Sequence, residues 1–284
     1  MDKRIEQKQS LLDKVLIGFG SIGDRWIYLL TIIFLAFPYI IPLGLPVPID
    51  PMVKEVYDIF EEAPEGSVIM YSQDTSVGGW PELGPGAIAV MQHLFKLPVK
   101  VIYMSFAQDG PMLIDKAMNE VNKGNKVYGE DYVILPYISG QQAAMARFAT
   151  NIHSTAVQDK YGTQIEDIPM MKDVRSYKDI YAIFTTDTGF SCSGYLAQWV
   201  TPYNALLIGH MIGVMTPGFM PYYPNSIKIM NSLSSGAMYE YLVGIKGKGL
   251  QAMDTISTGH ILMIGLIILG NISWVYLKLK GAQK

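Results

Sequence analysis

Two stretches of this 284-residue chain, one near each end, carry no charged side chain and are long enough to cross a bilayer as helices. A hydrocarbon core of about 30 Å takes roughly 20 apolar residues in helical form. The first stretch runs from Trp26 to Ile49, with Trp26, Tyr28 and Tyr39 suited to the interfacial zones where aromatic rings settle. Pro38 and Pro42 are expected to kink or end it. The second runs from Thr255 to Leu277, densest from Ile261 to Leu269, and closes on Trp274 and Tyr276 ahead of Lys278 and Lys280. These two stretches explain why half the chain is apolar and its mean hydropathy is +0.21. Twenty-five residues precede the first stretch and no Ala-x-Ala pattern follows it, so it reads as an anchor rather than a cleavable signal.

This divides the chain into a basic tail (1–25), a first span (26–49), a central domain (50–254), a second span (255–277) and a short tail (278–284). The tails hold Lys3, Arg4, Lys8, Lys14, Arg25, Lys278, Lys280 and Lys284, whereas the central segments nearest the spans hold only Lys54, Lys246 and Lys248. Because Lys and Arg are retained on the cytoplasmic side, both termini are expected inside and the central domain outside. The net charge is −3 although the tails are basic, so the central domain is acidic. An acidic domain repels phosphate backbones, which argues against a nucleic-acid partner. Leu11, Leu12, Val15, Leu16 and Phe19 recur at roughly helical spacing, so the basic tail reads either as an interfacial helix on membrane lipids or as a solvated arm. The single Cys192 excludes an intrachain disulfide.

The central region alternates short β-branched runs with stretches of helical periodicity, the pattern of a doubly wound, mostly parallel α/β sheet of Rossmann-like type. Strands are expected at Ser67–Tyr71, Lys100–Ser105, Tyr132–Pro136, Ile180–Thr185 and Ala205–Met211. Helices are expected near Ala87–Leu97, Pro111–Asn122, Gln141–Asn151 and Ser235–Val243, and Ser72–Pro85 reads as a loop. No charged residue lies between Asp187 and Lys228. The apolar part of that stretch, Tyr203–Met215, is too short to span and is broken by Asn204, Gly209 and His210, so it reads as a buried strand.

Several motifs fail on context. Gly18-Phe-Gly20-Ser-Ile-Gly23 matches the dinucleotide fingerprint but runs straight into the first span, with no acid at the distance a ribose needs. Gly189-Phe-Ser191-Cys192-Ser193-Gly194 lacks the G-x-S-x-G spacing of a nucleophile elbow. His93, His153, His210 and His260 are scattered without metal-ligand spacing and read as core or interface residues. No catalytic residue and no cofactor emerges. The positional candidates are the residues just beyond the strands, where open α/β sheets bind ligands: Asp74, Glu82, Ser139, Gly140, Thr186, Asp187 and Thr216. Carboxylates meeting there can hold a cation, while the alternative is that Asp74 and Asp187 cap helices or brace turns.

The stretches Met70–Leu94 (Ser72-Gln73-Asp74, Pro81-Glu82-Leu83 and His93-Leu94), Tyr128-Gly-Glu-Asp-Tyr132 with Ser139-Gly140, Asp167-Ile-Pro-Met-Met171, and Ser235-Gly-Ala-Met-Tyr-Glu240 resemble a family of uncharacterised prokaryotic membrane proteins. The resemblance covers nearly the whole chain and implies two terminal spans around an α/β domain; it implies no activity, cofactor or catalytic residue. Ser76 stands where the family pattern has the second acid of a D-x-D, and Gln73 where an aromatic is usual.

Two classes of function follow. One is a non-enzymatic structural or accessory subunit of a membrane complex, meeting other subunits or further copies of itself. Tyr222-Tyr-Pro-Asn225 and Tyr239 are then candidate contacts, among 18 Tyr and 17 Met in all. The other is a tethered receptor or enzyme taking a small molecule or cation at the strand ends.

Overall fold

The computed structural model describes residue 18 and residues 23–279. The basic tail, including its apolar spacing and most of the Gly18–Gly23 motif, and Lys280 and Lys284 lie outside the described residues. The described chain forms two units, residues 46–250 and a second made of residues up to 45 together with those from 251 onward.

In the second unit, α1 spans Asp24–Ile40, a 17-residue helix. It passes through Pro38 and stops at Ile40, one residue before the Ile41-Pro42 step, because a residue preceding proline is steered out of the helical region. The first apolar stretch is therefore helical only in its first part. At about 1.5 Å per residue α1 covers roughly 25 Å, a little short of a hydrocarbon core. Thr258 Oγ1 donates to the Phe34 carbonyl at 3.0 Å, and Gln251 donates to the Tyr39 carbonyl, so α1 lies antiparallel to the C-terminal helix. Beyond α1 the backbone amides of Leu43, Gly44 and Leu45 all donate to the buried Asp254 carboxylate at 2.8–2.9 Å. Gly44 adopts φ +66°, a conformation that lets consecutive amides converge on one anion.

The larger unit begins with α2 (Pro51–Glu61), N-capped by Asp50, whose side chain accepts from the Met52 amide. There follow β1 (Val68–Asp74), α3 (Trp80–Lys96), β2 (Lys100–Ser105), α4 (Gly110–Glu120) and β3 (Tyr132–Tyr137). Next come α5 (Gln141–Thr150), α6 (Ile152–Thr155), β4 (Ala182–Asp187), α7 (Ser191–Tyr195), α8 (Thr201–Tyr203) and β5 (Leu207–Met211). The unit closes with α9 (Thr216–Phe219), β6 (Lys228–Asn231) and α10 (Ser232–Val243), after which α11 (Lys248–Leu279) leads out of it.

The six strands form one sheet, ordered β3-β2-β1-β4-β5-β6, and every neighbouring pair is parallel. This is the strand order of the Rossmann-like doubly wound fold. Both faces are covered, which is why the strands are buried almost throughout. One face packs Met70, Ile102, Val133 and Ile183 against Phe148, Tyr195 and Trp199, and the other packs Ile69, Tyr71, Tyr103 and Phe184 against Phe60, Leu94 and Tyr239.

The sequence reading placed β2 as observed and β3, β5, α4, α5 and α10 within a few residues. β1 runs three residues beyond its expected end, β4 starts and ends two residues later than expected, α3 begins within the expected loop, and α2 and β6 are additional to the expected elements. β5 is a fully buried strand, as its uncharged run suggested.

The C-terminal helix α11 is 32 residues, and among the described residues it alone is long and apolar enough to cross a membrane by itself. Ile261, Met263, Ile264, Ile267, Ile268, Ile272 and Val275 are all exposed along it.

Candidate functional site at the strand ends

β1 and β4 are adjacent strands whose connections leave in opposite directions along the sheet, so their carboxyl ends form the topological switch point. Parallel register sets Asp74 opposite Asp187, and the two-residue repeat of the strand puts Ser72, Asp74, Thr185 and Asp187 on one face. The sequence-derived pair therefore does come together.

The surroundings of Asp74 give it a structural part. It is buried, and Oδ1 accepts from the Phe106 amide at 2.7 Å, the Ala107 amide at 3.1 Å and Ser105 Oγ at 3.1 Å. Oδ2 accepts from Ser72 Oγ at 2.6 Å and Thr185 Oγ1 at 3.2 Å. Ser105 Oγ has one proton and lies closer to the Gln73 carbonyl, at 2.7 Å, so the remaining four donors, of which the Ala107 amide is shared with Ser105 Oγ, occupy most of the carboxylate's lone-pair positions. Burial raises the Asp74 pKa, opposed by the Ser72 hydroxyl and the Phe106 amide; the neighbouring Asp187 charge raises it further and the nearby Ser191 hydroxyl lowers it.

Asp187 is likewise committed. Its oxygens accept from the Gly189 amide at 2.6 Å and the Cys192 amide at 2.7 Å, which closes the turn from β4 into α7. Thr186 Oγ1 accepts from the Asp74 amide at 3.2 Å, Thr188 Oγ1 from the Ser76 amide at 2.9 Å, and Asp109 Oδ2 from the Val77 amide at 2.9 Å. These bonds tie together the loops after β1, β2 and β4.

The loops around them pack closely at two glycines. A side chain at Gly110, the first residue of α4, would overlap Ser105 Oγ and the Gln73 carbonyl, and one at Gly79 would overlap Thr188 Cγ2. Helix α4 thus starts directly against the ends of β1 and β2, where a dinucleotide fold would leave room for a pyrophosphate. The β4-turn-α7 segment has the outline of a nucleophile elbow, but Ser191 and Cys192 are wholly buried, and burial, followed by the Asp187 charge, pushes the Cys192 thiol well up. A buried, protonated thiol is inert.

The other sequence candidates lie apart. Glu82 Oε1 accepts from the Gly213 amide at 2.8 Å, and Thr216 Oγ1 donates to Asn231 Oδ1 at 2.8 Å, both bracing the connection after β5. Ser139 and Gly140 are exposed in the turn after β3, where Gly140 takes φ +112°. Tyr239, read as a candidate contact, is fully buried, because the helical repeat of α10 turns it inward onto α3. Among the described residues no group of three or more His, Cys, Asp or Glu is arranged to hold a metal.

Sequence reasoning missed a polar group on the opposite face. His93 Nδ1 meets the Tyr239 hydroxyl at 2.7 Å and its Nε2 meets Glu61 Oε1 at 3.0 Å, with the Tyr57 ring stacked at 4.6 Å. Burial lowers the His93 pKa, and the bond to Glu61 raises the Tyr57 hydroxyl to about 12. The group fastens α2, α3 and α10 to one another. His210 lies between the carbonyls of Leu83 at 3.2 Å and Met230 at 3.3 Å, and burial lowers its pKa to about 4. His153 bonds the carbonyls of Met171 and Val174 at 2.9 and 3.0 Å. These three are core histidines, while His260 is exposed on α11. No spacing in the sequence announces any of these partners, since each comes from a separate element.

Comparison with protein-family models, curated proteins and solved structures finds no match to this chain.

Proposed function

We propose that the chain is a membrane-anchored structural or accessory subunit of a membrane protein complex, with the α/β domain as its interaction module. Two helices serve as the anchor in this reading. α11 crosses the bilayer, and α1, bonded antiparallel to it through Thr258 and carrying exposed Ile32, Ile33, Phe37 and Ile40, is the second span. The eight basic residues of the tails keep both termini in the cytoplasm and leave the domain outside. The arrangement of two terminal spans around an α/β domain is also what the family resemblance implies.

The observation that carries the reading is the connection between β5 and β6. It holds no charged residue, yet Val214 is 85% exposed, Tyr222 49% and Met220 43%. Apolar, aromatic and Met side chains gathered on an uncharged surface are the composition of an interface core. At the strand ends, by contrast, Asp74 is buried among internal donors and Asp187 is held by the Gly189 and Cys192 amides.

Replacing Val214 and Tyr222 together by Lys tests this directly, because both side chains are exposed. The double variant is expected to lose at least tenfold of its companion subunits on extraction from native membranes in mild detergent, while the yield of folded chain is unchanged. Companions retained at the wild-type ratio would sink the assignment of this surface.

A further inference from the structure

Glu240 is the one acid of α10, only 2% exposed, and sits where the helix that leaves the domain begins. The Gly249 amide donates to its Oε1 at 3.0 Å and the Leu250 amide to its Oε2 at 2.7 Å, so the carboxyl group holds the first turn of α11. Two glycines make room for it: a side chain at Gly247 would overlap the carboxyl oxygens, and one at Gly249 would lie 3.0 Å from Oε2 and 3.1 Å from the Ala237 backbone.

The charged and titratable groups of every element packed around α10 are engaged elsewhere or exposed. On α3, His93 bonds Tyr239 and Glu61, and Lys96 donates to the Val243 carbonyl. On α2, Tyr57 stacks on His93. On β6, Lys228 pairs with Glu55. On α11, Lys248 pairs with Glu120 of α4 at 3.1 Å, and Lys246 in the intervening turn is exposed. Among the described residues no cation pairs with Glu240.

We propose that Glu240 is a pH-graded clasp on the Gly249–Leu250 turn that opens α11, closed in acid and progressively easier to open as the pH rises. A carboxyl group sealed from water with no cation beside it holds its proton more tightly than the same group in solvent. Burial raises its pKa to about 7, against the pull of the Leu250 and Gly249 amides. Opening the clasp returns the side chain to water and to an ordinary carboxylate pKa of about 4.3. The closed form therefore binds the proton more strongly, and its advantage, complete below about pH 4, is lost as the pH rises through about 7. The inference is independent of which partner the domain meets.

Hydrogen exchange of the full-length chain in lipid bilayers, corrected for the intrinsic pH dependence of exchange, reads this clasp at the Gly249 and Leu250 amides. Their protection factors are expected to fall at least tenfold between pH 5 and pH 8 in the wild type, and to be flat in Glu240→Gln. Constant protection in the wild type, or an equal fall in the Gln variant, would overturn the proposal. Should Glu240→Gln fail to fold, Glu120→Gln decides: retention of the wild-type transition supports Glu240, and its disappearance assigns the titration to the exposed Lys248–Glu120 pair and overturns the clasp.

Discussion

Replacing Asp74 by Ala is expected to lower the unfolding free energy of the α/β domain by about 2–4 kcal/mol, because at least two buried neutral donors lose their acceptor and each such loss costs about 1–3 kcal/mol. The Ser72 hydroxyl and the Phe106 amide would lose their acceptor inside the protein, and the loops after β1 and β2 would lose their common tie. Some donors have fallback partners, since Ser105 Oγ also reaches the carbonyls of Gln73 at 2.7 Å and Ala107 at 2.8 Å. Denaturant unfolding followed by the fluorescence of Trp80 and Trp199 measures the loss. The value separates the two classes of function. A carboxylate kept free for a ligand would be removed at little cost to stability, so a variant within about 0.5 kcal/mol of wild type would reopen the ligand reading.

Gly86→Ala is expected to cost about 3 kcal/mol, the upper end of what overpacking a well-filled core brings. Helices α3 and α10 cross with almost no space between Gly86 and Gly236: a Cβ on Gly236 would lie 2.8 Å from the Gly86 amide nitrogen and 3.0 Å from its Cα. On Gly86 itself a Cβ would overlap His210 Nε2 and lie 3.0 Å from the Gly236 Cα. His210 is not free to move aside, because it is pinned between the carbonyls of Leu83 and Met230. The same thermal or denaturant melt reports the effect, and a substitution tolerated without loss would show that the two helices can part at this crossing.

These two positions also show what the sequence could and could not display. Periodicity reveals apolar faces, so β2 and β3, whose buried residues are almost all apolar, were legible nearly to the residue. β1 and β4 run further than the sequence suggests because each ends in buried polar residues, Ser72-Gln73-Asp74 and Thr186-Asp187, among which the Asp74 amide bonds Thr186 and its carboxylate bonds Thr185 across the sheet. Hydropathy reads such ends as loop. The start of α3 was hidden by Pro81 and Pro85 among glycines, although a proline in the first turn costs no hydrogen bond. β6 has four residues and no alternation to detect.

At the candidate site, strand ends followed by acids were visible, and the structure does bring Asp74 and Asp187 together. Their occupation was not visible, because the donors to Asp74 arrive from Ser105, Phe106 and Ala107, some thirty residues on, and from Thr185, more than a hundred on. A local motif carries no information about such distant donors. The same holds for Glu240, whose two amide donors follow it closely in sequence but reach it only because Gly247 and Gly249, lacking side chains, let the start of α11 close on the carboxyl group.

In the proposed function this chain works as part of a larger assembly in the membrane rather than by capturing a ligand alone. The most direct test is the native mass and composition of the full-length chain extracted from its own membranes in mild detergent. A particle well above the 31.6 kDa of a single chain plus its micelle, with companions in fixed stoichiometry, is the expected result. A lone chain at every detergent concentration, retaining a small molecule or cation that Asp74→Asn releases, would contradict it.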